Sequence, residues 1–217
     1  MNGCPLERLL GHVGLSLETL LLALSTELDG EEFPERAQTK LRELANRLDG
    51  VGRDPMEQLD ALSRRVAAAF RHTGDGHRRT DLDDLRPDAV LQSGHGDDLL
   101  IAAIVAAVGQ RRGWAVDVAT GTRAFVGHRA VRAPVLICPA EAGRVIDTVR
   151  DGELQLRWRC SHEVAGTLLD RLDTRFERIG QRSLLVRVRE LALALPLAQP
   201  ELSSRQLELA RARSAWN

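Results

Sequence analysis

The most distinctive hydrophobic segment of the chain is an unbroken apolar run, LLIAAIVAAV, at residues 99–108. A helix on a protein surface has a polar face, and this run has none. Four of its ten residues are alanine, which favours a helix over the competing interpretation, a short buried strand. Aspartates at 97–98 and arginines at 111–112 suit the helix dipole, and Gly113 ends the pattern. We therefore predict an enclosed helix over 97–112, on which the other elements pack.

The segments before this run have leucines at helical spacing. Ser16, Pro34 and the pair Asp54-Pro55 stand where helix starts favour a cap or a proline. The pattern predicts a short opening helix and then three longer helices, at 6–12, 15–28, 34–48 and 55–70. The polar stretch that follows, HTGDGHRRTDLDD, predicts a surface loop.

After the apolar run the periodicity changes to the alternation of strands, and then returns to that of helices. Strands are predicted at 114–118, 124–131, 134–138, 144–149 and 154–158, and tail helices at 161–180, 184–195 and 203–212. The fold class is thus α+β, with the central helix packed on an antiparallel sheet of roughly four strands. The predicted sections are an N-terminal helical section (1–72), a polar loop (73–95), a core (96–160) and a C-terminal helical hairpin (161–217).

Composition excludes several classes of function. The chain has 30 basic and 31 acidic residues and only 3% aromatics, so it lacks the basic excess and stacking side chains of nucleic-acid binders. The apolar run is far shorter than the roughly 20 residues of a membrane span.

The N-terminus has no pattern of a secretory signal, and the three cysteines form no C-x-x-C pair. These features predict a cytoplasmic protein with neither a disulfide framework nor a structural zinc site. They predict no cofactor. His72, Asp75 and His77 are close in sequence, but their flexible polar segment does not favour a metal site.

Several motifs occur in an order that is informative as a set. Gly96-Asp97-Asp98 opens the central helix, Gly127-His128 lies on a strand, Cys138-Pro139 ends the next strand, and Gly143-Arg144 follows in a small turn. With the helix at 59–70, this order resembles the bacterial transglutaminase-like family with a tetratricopeptide-like tail, the SirB-type proteins. The resemblance covers nearly the whole chain. It implies a transglutaminase/papain-like core.

The resemblance also implies a set of three site residues. Such enzymes use a cysteine at the helix start as nucleophile, a strand histidine as base, and an aspartate on the next strand that orients the ring. Here those positions hold Asp98, His128 and Cys138, so two of the three groups have been replaced. We expect these three residues to lie near one another as a vestigial site. A one-residue change of register would instead place His128 and Cys138 on opposite faces of the sheet.

Each candidate has a structural interpretation beside the functional one. His128 fits a hydrogen-bonded strand histidine, Cys138 a small buried residue, and Asp98 a charge at a helix start. His95 fits a loop residue with no functional role, and Cys4 lies in a terminal segment that we expect to be exposed. The arginines of the tail alternate with acidic residues, which indicates a solvated mixed face more than a surface for an acidic partner.

Two hypotheses of function follow. The first is a non-catalytic transglutaminase-like protein, a pseudoenzyme that serves as a binding or regulatory module for another protein or peptide. The alternative is a cysteine-dependent enzyme with a rebuilt Cys138/His128 site that acts on a thioester, amide or isopeptide. A third possibility is that the helical tail docks a peptide. The sequence names no partner and indicates no oligomeric state.

Overall fold

The computed structural model describes residues 5–11, 14–29, 33–72, 82–131, 135–147 and 156–216. It divides the chain into two compact units. The larger unit spans residues 16–160, and the smaller one combines the residues up to 15 with those from 161 onward. The sequence boundaries predicted at 72 and 95 both fall inside the larger unit. Residues 73–81 of the predicted polar loop lie outside the described residues.

Nine α-helices occur within the described ranges. In chain order they are α1 (Pro5–Leu10), α2 (Leu17–Asp29), α3 (Phe33–Asn46), α4 (Pro55–Arg65), α5 (Pro87–Ser93), α6 (Asp98–Arg111), α7 (Ser161–Ile179), α8 (Arg182–Leu193) and α9 (Gln199–Trp216). The predicted helix at 55–70 is divided, because α4 ends at Arg65 and a 3₁₀ turn, Ala67–Ala69, follows. The last tail helix is longer than its predicted span of 203–212.

The strands form two sheets. A short parallel pair joins β1 (Arg71–His72) to β2 (His95–Gly96). The main sheet is antiparallel, with strand order β6-β5-β4-β3-β7. Its members are β3 (Val116–Thr120), β4 (Ala124–His128), β5 (Val135–Cys138), β6 (Arg144–Asp147) and β7 (Arg157–Arg159). The α+β class is confirmed, with five strands where the sequence predicted roughly four. Residues 132–134 and 148–155, where some strand ends were predicted, lie outside the described residues.

The central helix α6 is enclosed, as predicted. Every residue from 99 to 108 is at most 2% exposed. Helices α2 and α3 pack on α6, and so do strands β3 and β4. A polar side chain at any of these positions would lose its water without gaining a partner, which explains why the run has no polar face. The helix begins where Asp97 caps it, with its carboxylate accepting from the N–H groups of Leu99 and Leu100.

The two faces of the main sheet have different neighbours. A Cβ added to Gly109 of α6 would lie 2.5 Å from Cγ2 of Val116, so Val116 faces α6. Because side chains alternate along a strand, Val118 and its cross-strand partner Val126 face α6 as well. The opposite face carries a separate apolar cluster, in which Ala119, Phe125, Leu136, Cys138 and Ala140 pack with Ile146, Leu156 and Trp158.

The smaller unit consists of α1 and the tail helices. Helix α8 packs on α7, on α9 and on α1. Buried residues of α7 and α8, including Leu172, Phe176 and Leu191, form its interior. Arg189 makes two contacts with Asp173, at 2.5 and 3.1 Å, so arginines of the tail pair with acidic residues of the same unit. Among the described residues, no helix has the length and apolar character that crossing a membrane requires.

The burial of α6 predicts the outcome of a core substitution. Ile104 is completely buried, so Ile104→Asp would place an unpaired charge in a dry interior. That cost exceeds what a fold stabilised by about 5–15 kcal/mol can tolerate, so we expect no cooperative unfolding transition. The control Ile104→Val should remain folded and lose about 1 kcal/mol. Circular dichroism with urea denaturation measures both. A soluble Ile104→Asp variant that unfolds cooperatively would contradict the enclosed position of α6.

Candidate functional site

Asp98, at the predicted nucleophile position, holds the start of α6 against the start of β4. Its Oδ1 atom accepts a hydrogen bond from the N–H of Leu99 at 2.8 Å. Its Oδ2 atom accepts one from the N–H of Ala124, the first residue of β4, at 3.0 Å. A carboxylate at a helix N-terminus is also favoured by the helix dipole. The side chain therefore stabilises the junction of helix and strand, and its oxygens are engaged with the backbone.

His128, at the last residue of β4, is held by two hydrogen bonds. Its Nδ1 atom accepts from the N–H of Ala130 at 3.1 Å, so the ring proton resides on Nε2, which donates to Oε1 of Gln58 at 3.0 Å. Gln58 in turn donates from Nε2 to the carbonyl oxygen of Gly52 at 3.1 Å. The imidazole is 6% exposed. It ties β4 to α4 and to the loop before α4, as expected of a structural histidine.

The environment of His128 favours its neutral form. Burial lowers the pKa of the imidazole below its usual value, and the opposing influence of the Asp54 carboxylate is smaller. A neutral ring with one donor and one acceptor matches its two hydrogen bonds.

Cys138, at the last residue of β5, is completely buried in the apolar cluster with Phe125 and Leu136. Burial is the main cause that raises the pKa of the thiol, and the carboxylate of Glu141 raises it further. A reactive cysteine needs the opposite shift, toward a stable thiolate. Cys138 therefore has the properties of a small core residue.

The register of β4 and β5 separates His128 from Cys138. Val126 pairs with Ile137 and Gly127 with Leu136, which places Cys138 opposite Phe125, on the face away from α6. His128 pairs with Val116 and so lies on the α6 face. Of the two registers that the sequence left open, the structure has the one that places the two side chains on opposite faces, so this pair does not lie together as a site. An imidazole and a thiol on opposite faces of one sheet cannot act as a base and nucleophile pair.

Asp98 is also separated from His128. The carboxylate binds the first residue of β4, whereas the histidine is the last, four residues further along an extended strand, or about 13 Å. Asp98 and Cys138 do flank the same end of β4, but from its two opposite faces. Of the three predicted residues, the structure thus brings none into contact with another. The match of Gly127-His128 to the base-bearing strand of a transglutaminase does not fit this arrangement.

The small turn after β5 is held in place by a residue that is distant in sequence. Gly143 has a φ of 76°, a backbone conformation that favours glycine. Ser63 of α4 donates from its hydroxyl to the carbonyl oxygen of Gly143 at 2.6 Å, and both groups are buried. Ser63 and Gln58 are the α4 residues that fix the positions of the two predicted motifs. Sequence reasoning missed both, because each acts on a partner about 70 or 80 positions away.

The remaining candidates have local roles. His95 is exposed, and its Nδ1 atom lies 2.8 Å from the carbonyl oxygen of Ser93, as expected of a loop residue. His72 is exposed too, while Asp75, His77 and Cys4 lie outside the described residues. In the part of the chain that the structure describes, no three histidine, cysteine or acidic side chains are grouped so that they could hold a metal ion.

A cavity of about 230 Å3 lies between α3 and α5, and none of the predicted site residues lines it. Its lining residues are Arg36, Ala37, Lys40, Asp88, Leu91 and Gln92. Asp88 is only 4% exposed, which is unusual for an aspartate. No sequence pattern indicated this site. Asp88 follows Pro87 at the start of a helix, where an acidic residue is favourable in the first turn whether or not it is buried.

Comparisons with protein-family models, with curated proteins and with solved structures find no match for this chain.

Two thiols of different burial give a direct test of this description. In a Cys4→Ser background, we expect an alkylating reagent near neutral pH to modify exposed Cys160 on the order of 100-fold faster than Cys138, because the latter reacts only after the sheet opens. Mass spectrometry of peptides over time measures both rates. Urea should make the two rates similar. Faster alkylation of Cys138 than of Cys160 in the folded protein would contradict the buried, high-pKa thiol.

The lowered pKa of His128 predicts a pH dependence of stability. Below about pH 6.5 the unfolded chain binds a proton that the folded imidazole resists, so the free energy of unfolding falls as the pH falls through this value. His128→Gln removes this titration. Urea denaturation from about pH 7.5 to 5.5 should therefore show a steeper loss of stability for the wild type than for the variant. Parallel losses would show that folding does not shift this pKa.

Proposed function

We propose that this protein is a non-catalytic, transglutaminase-like module of SirB type that binds or regulates another protein or peptide in the cytoplasm. The family assignment and a papain-like core rest on the order of segments: a helical section, a buried helix, an antiparallel sheet and a helical tail. They do not rest on the three site residues.

The observation that carries the non-catalytic part is the chemistry at the start of α6. Acyl transfer needs a thiolate there, with an imidazole within hydrogen-bond reach. The position holds Asp98, whose oxygens bind backbone N–H groups. A carboxylate is a poor acyl-transfer nucleophile, and here it serves the fold.

The rebuilt-enzyme alternative has less support. It requires Cys138 and His128 on one face of the sheet, and the register gives them opposite faces. It also requires a lowered thiol pKa, and burial raises it. A binding or regulatory role is therefore the function that the geometry favours.

Turnover of amide and thioester substrates tests the proposal. We expect no transglutaminase, amidase or thioesterase activity above background for the wild type, and none for Cys138→Ser. Both should fold cooperatively in urea denaturation, but Cys138→Ser should lose about 1–3 kcal/mol of unfolding free energy, because a buried hydroxyl replaces a thiol in an apolar cluster. The exposed-site variant Cys160→Ser is the matched control. Activity in the wild type and in Cys160→Ser that disappears in a folded Cys138→Ser would overturn the non-catalytic assignment.

A further inference from the structure

We propose that His128 is a pH-sensitive switch for the turn at residues 129–131, which the neutral imidazole holds closed and the protonated imidazole releases while the main sheet stays folded. The first two residues of this turn are exposed, so the switch acts on a surface segment. The inference goes beyond the proposed function and does not depend on it, because it requires neither a partner nor a reaction.

The hydrogen bonds around His128 all run in one direction, which fixes the position of each proton. The N–H of Ala130 donates to Nδ1 at 3.1 Å, and a backbone N–H can only donate. At the other end, the carbonyl oxygen of Gly52 can only accept, so Gln58 gives its amide nitrogen to Gly52. Its amide oxygen is left to accept from Nε2 of His128. The chain of bonds from Ala130 to Gly52 is therefore complete only when Nδ1 carries no proton.

A second proton on the ring is incompatible with the contact to Ala130. It would have to bind Nδ1, because Nε2 already carries the proton that it donates to Gln58. Nδ1 would then direct a donor at the N–H of Ala130, and two donors cannot share a hydrogen bond. The contact to Gln58 is the same in both forms of the ring. Protonation therefore breaks the bond to the turn and keeps the bond to α4.

The turn has other backbone contacts that do not use the ring. The N–H of Arg129 donates to the carbonyl oxygen of Ala115 at 2.8 Å, and the N–H of Val131 donates to the carbonyl oxygen of His128 at 3.1 Å. The pairing of β4 with β3 ends at His128 and does not include Ala130. Loss of the bond to the ring thus frees the middle of the turn without breaking a strand pair, so the opening is local.

The charged groups near the ring decide the pH at which the switch opens. The carboxylate of Asp54 favours the protonated ring, but burial has the larger effect and lowers the pKa of His128. Glu57 turns its carboxylate to the loop before α4, and the Arg129 guanidinium is engaged by a carboxylate of β3. On β3 itself, the residue paired with His128 is the uncharged Val116. The closed turn therefore resists the proton that the open turn binds.

Native-state hydrogen exchange of the full, isotope-labelled chain tests the switch by NMR. After correction for the chemical exchange rate, the protection of the Ala130 amide should fall several-fold, to at most about tenfold, from about pH 7.5 to 5.5. The reason is that the open turn binds a proton near about pH 6.5 and the closed turn resists it. Urea up to about 1 M should leave this exchange unchanged, because a local opening exposes little surface.

Two substitutions separate the roles of the two ring nitrogens. His128→Asn places an oxygen near the position of Nδ1, where it accepts from Ala130 but binds no proton, so protection should persist at both pH values. His128→Gln places its amide near the position of Nε2, beside Gln58, and removes the acceptor for Ala130, so protection should be low at both. His95→Asn changes an exposed histidine and is the matched control. It should keep the pH dependence of the wild type.

The tautomer of His128 gives a test that needs no variant. Long-range proton–nitrogen spectra of the wild type at about pH 7.5 should show the ring proton on Nε2. A proton on Nδ1 would overturn the inference, and so would protection of Ala130 that is the same at both pH values.

Two further results would also overturn it. One is an Ala130 exchange rate that rises with urea in parallel with the amides of α6, because the opening would then be global unfolding. The other is a pH dependence that persists in His128→Asn, which would assign the titration to another group. None of these results bears on the turnover experiment, so this inference and the proposed function fail separately.

Discussion

The fold of the larger unit depends on the burial of one helix on all sides. Helices α2 and α3 and strands β3 and β4 all pack on α6, so its interior residues meet other side chains in every direction. This environment excludes polar groups over residues 99–108 and favours small residues where backbones approach closely. Gly109 is the clearest case, because Val116 fills the space that a Cβ would need. The apolar run is thus a consequence of where the helix lies.

The polar groups of α6 are confined to its two ends, where they join it to other elements. Asp98 accepts from the first N–H of β4, and Gln110 donates to the carbonyl oxygen of Val116 and to Asp117 of β3. Arg111 pairs with Glu18 of α2. These contacts fix the helix along its axis and against the sheet. The carboxylate at the position expected of a nucleophile is therefore explained by its structural contacts, which is why we favour a binding role over a catalytic one.

Side-chain alternation along β4 and β5 decides what the remaining candidates can do. Since successive residues point to opposite faces, a pairing of Val126 with Ile137 sends Cys138 to one side and His128 to the other. The thiol enters an apolar cluster, and the imidazole meets Gln58 of α4. Both residues become part of the interior, with pKa shifts that favour their uncharged forms.

The sequence by itself determined the class of the fold and its central element. A ten-residue apolar run with charged ends of the correct sign specifies a buried helix, because hydrophobic periodicity and the helix dipole are local properties. Strand register, by contrast, depends on pairing between segments. Only that pairing shows that the side chains of His128 and Cys138 lie on opposite faces of the sheet. The partners of His128 and of Gly143 come from α4, far away in sequence, so no local pattern indicates them. The burial of Asp88 belongs to the same category. The packing of α3 against α5 decides how far Asp88 is exposed. The physical reason is that burial depends on which elements surround a residue in the folded chain, and the residue type alone does not determine it.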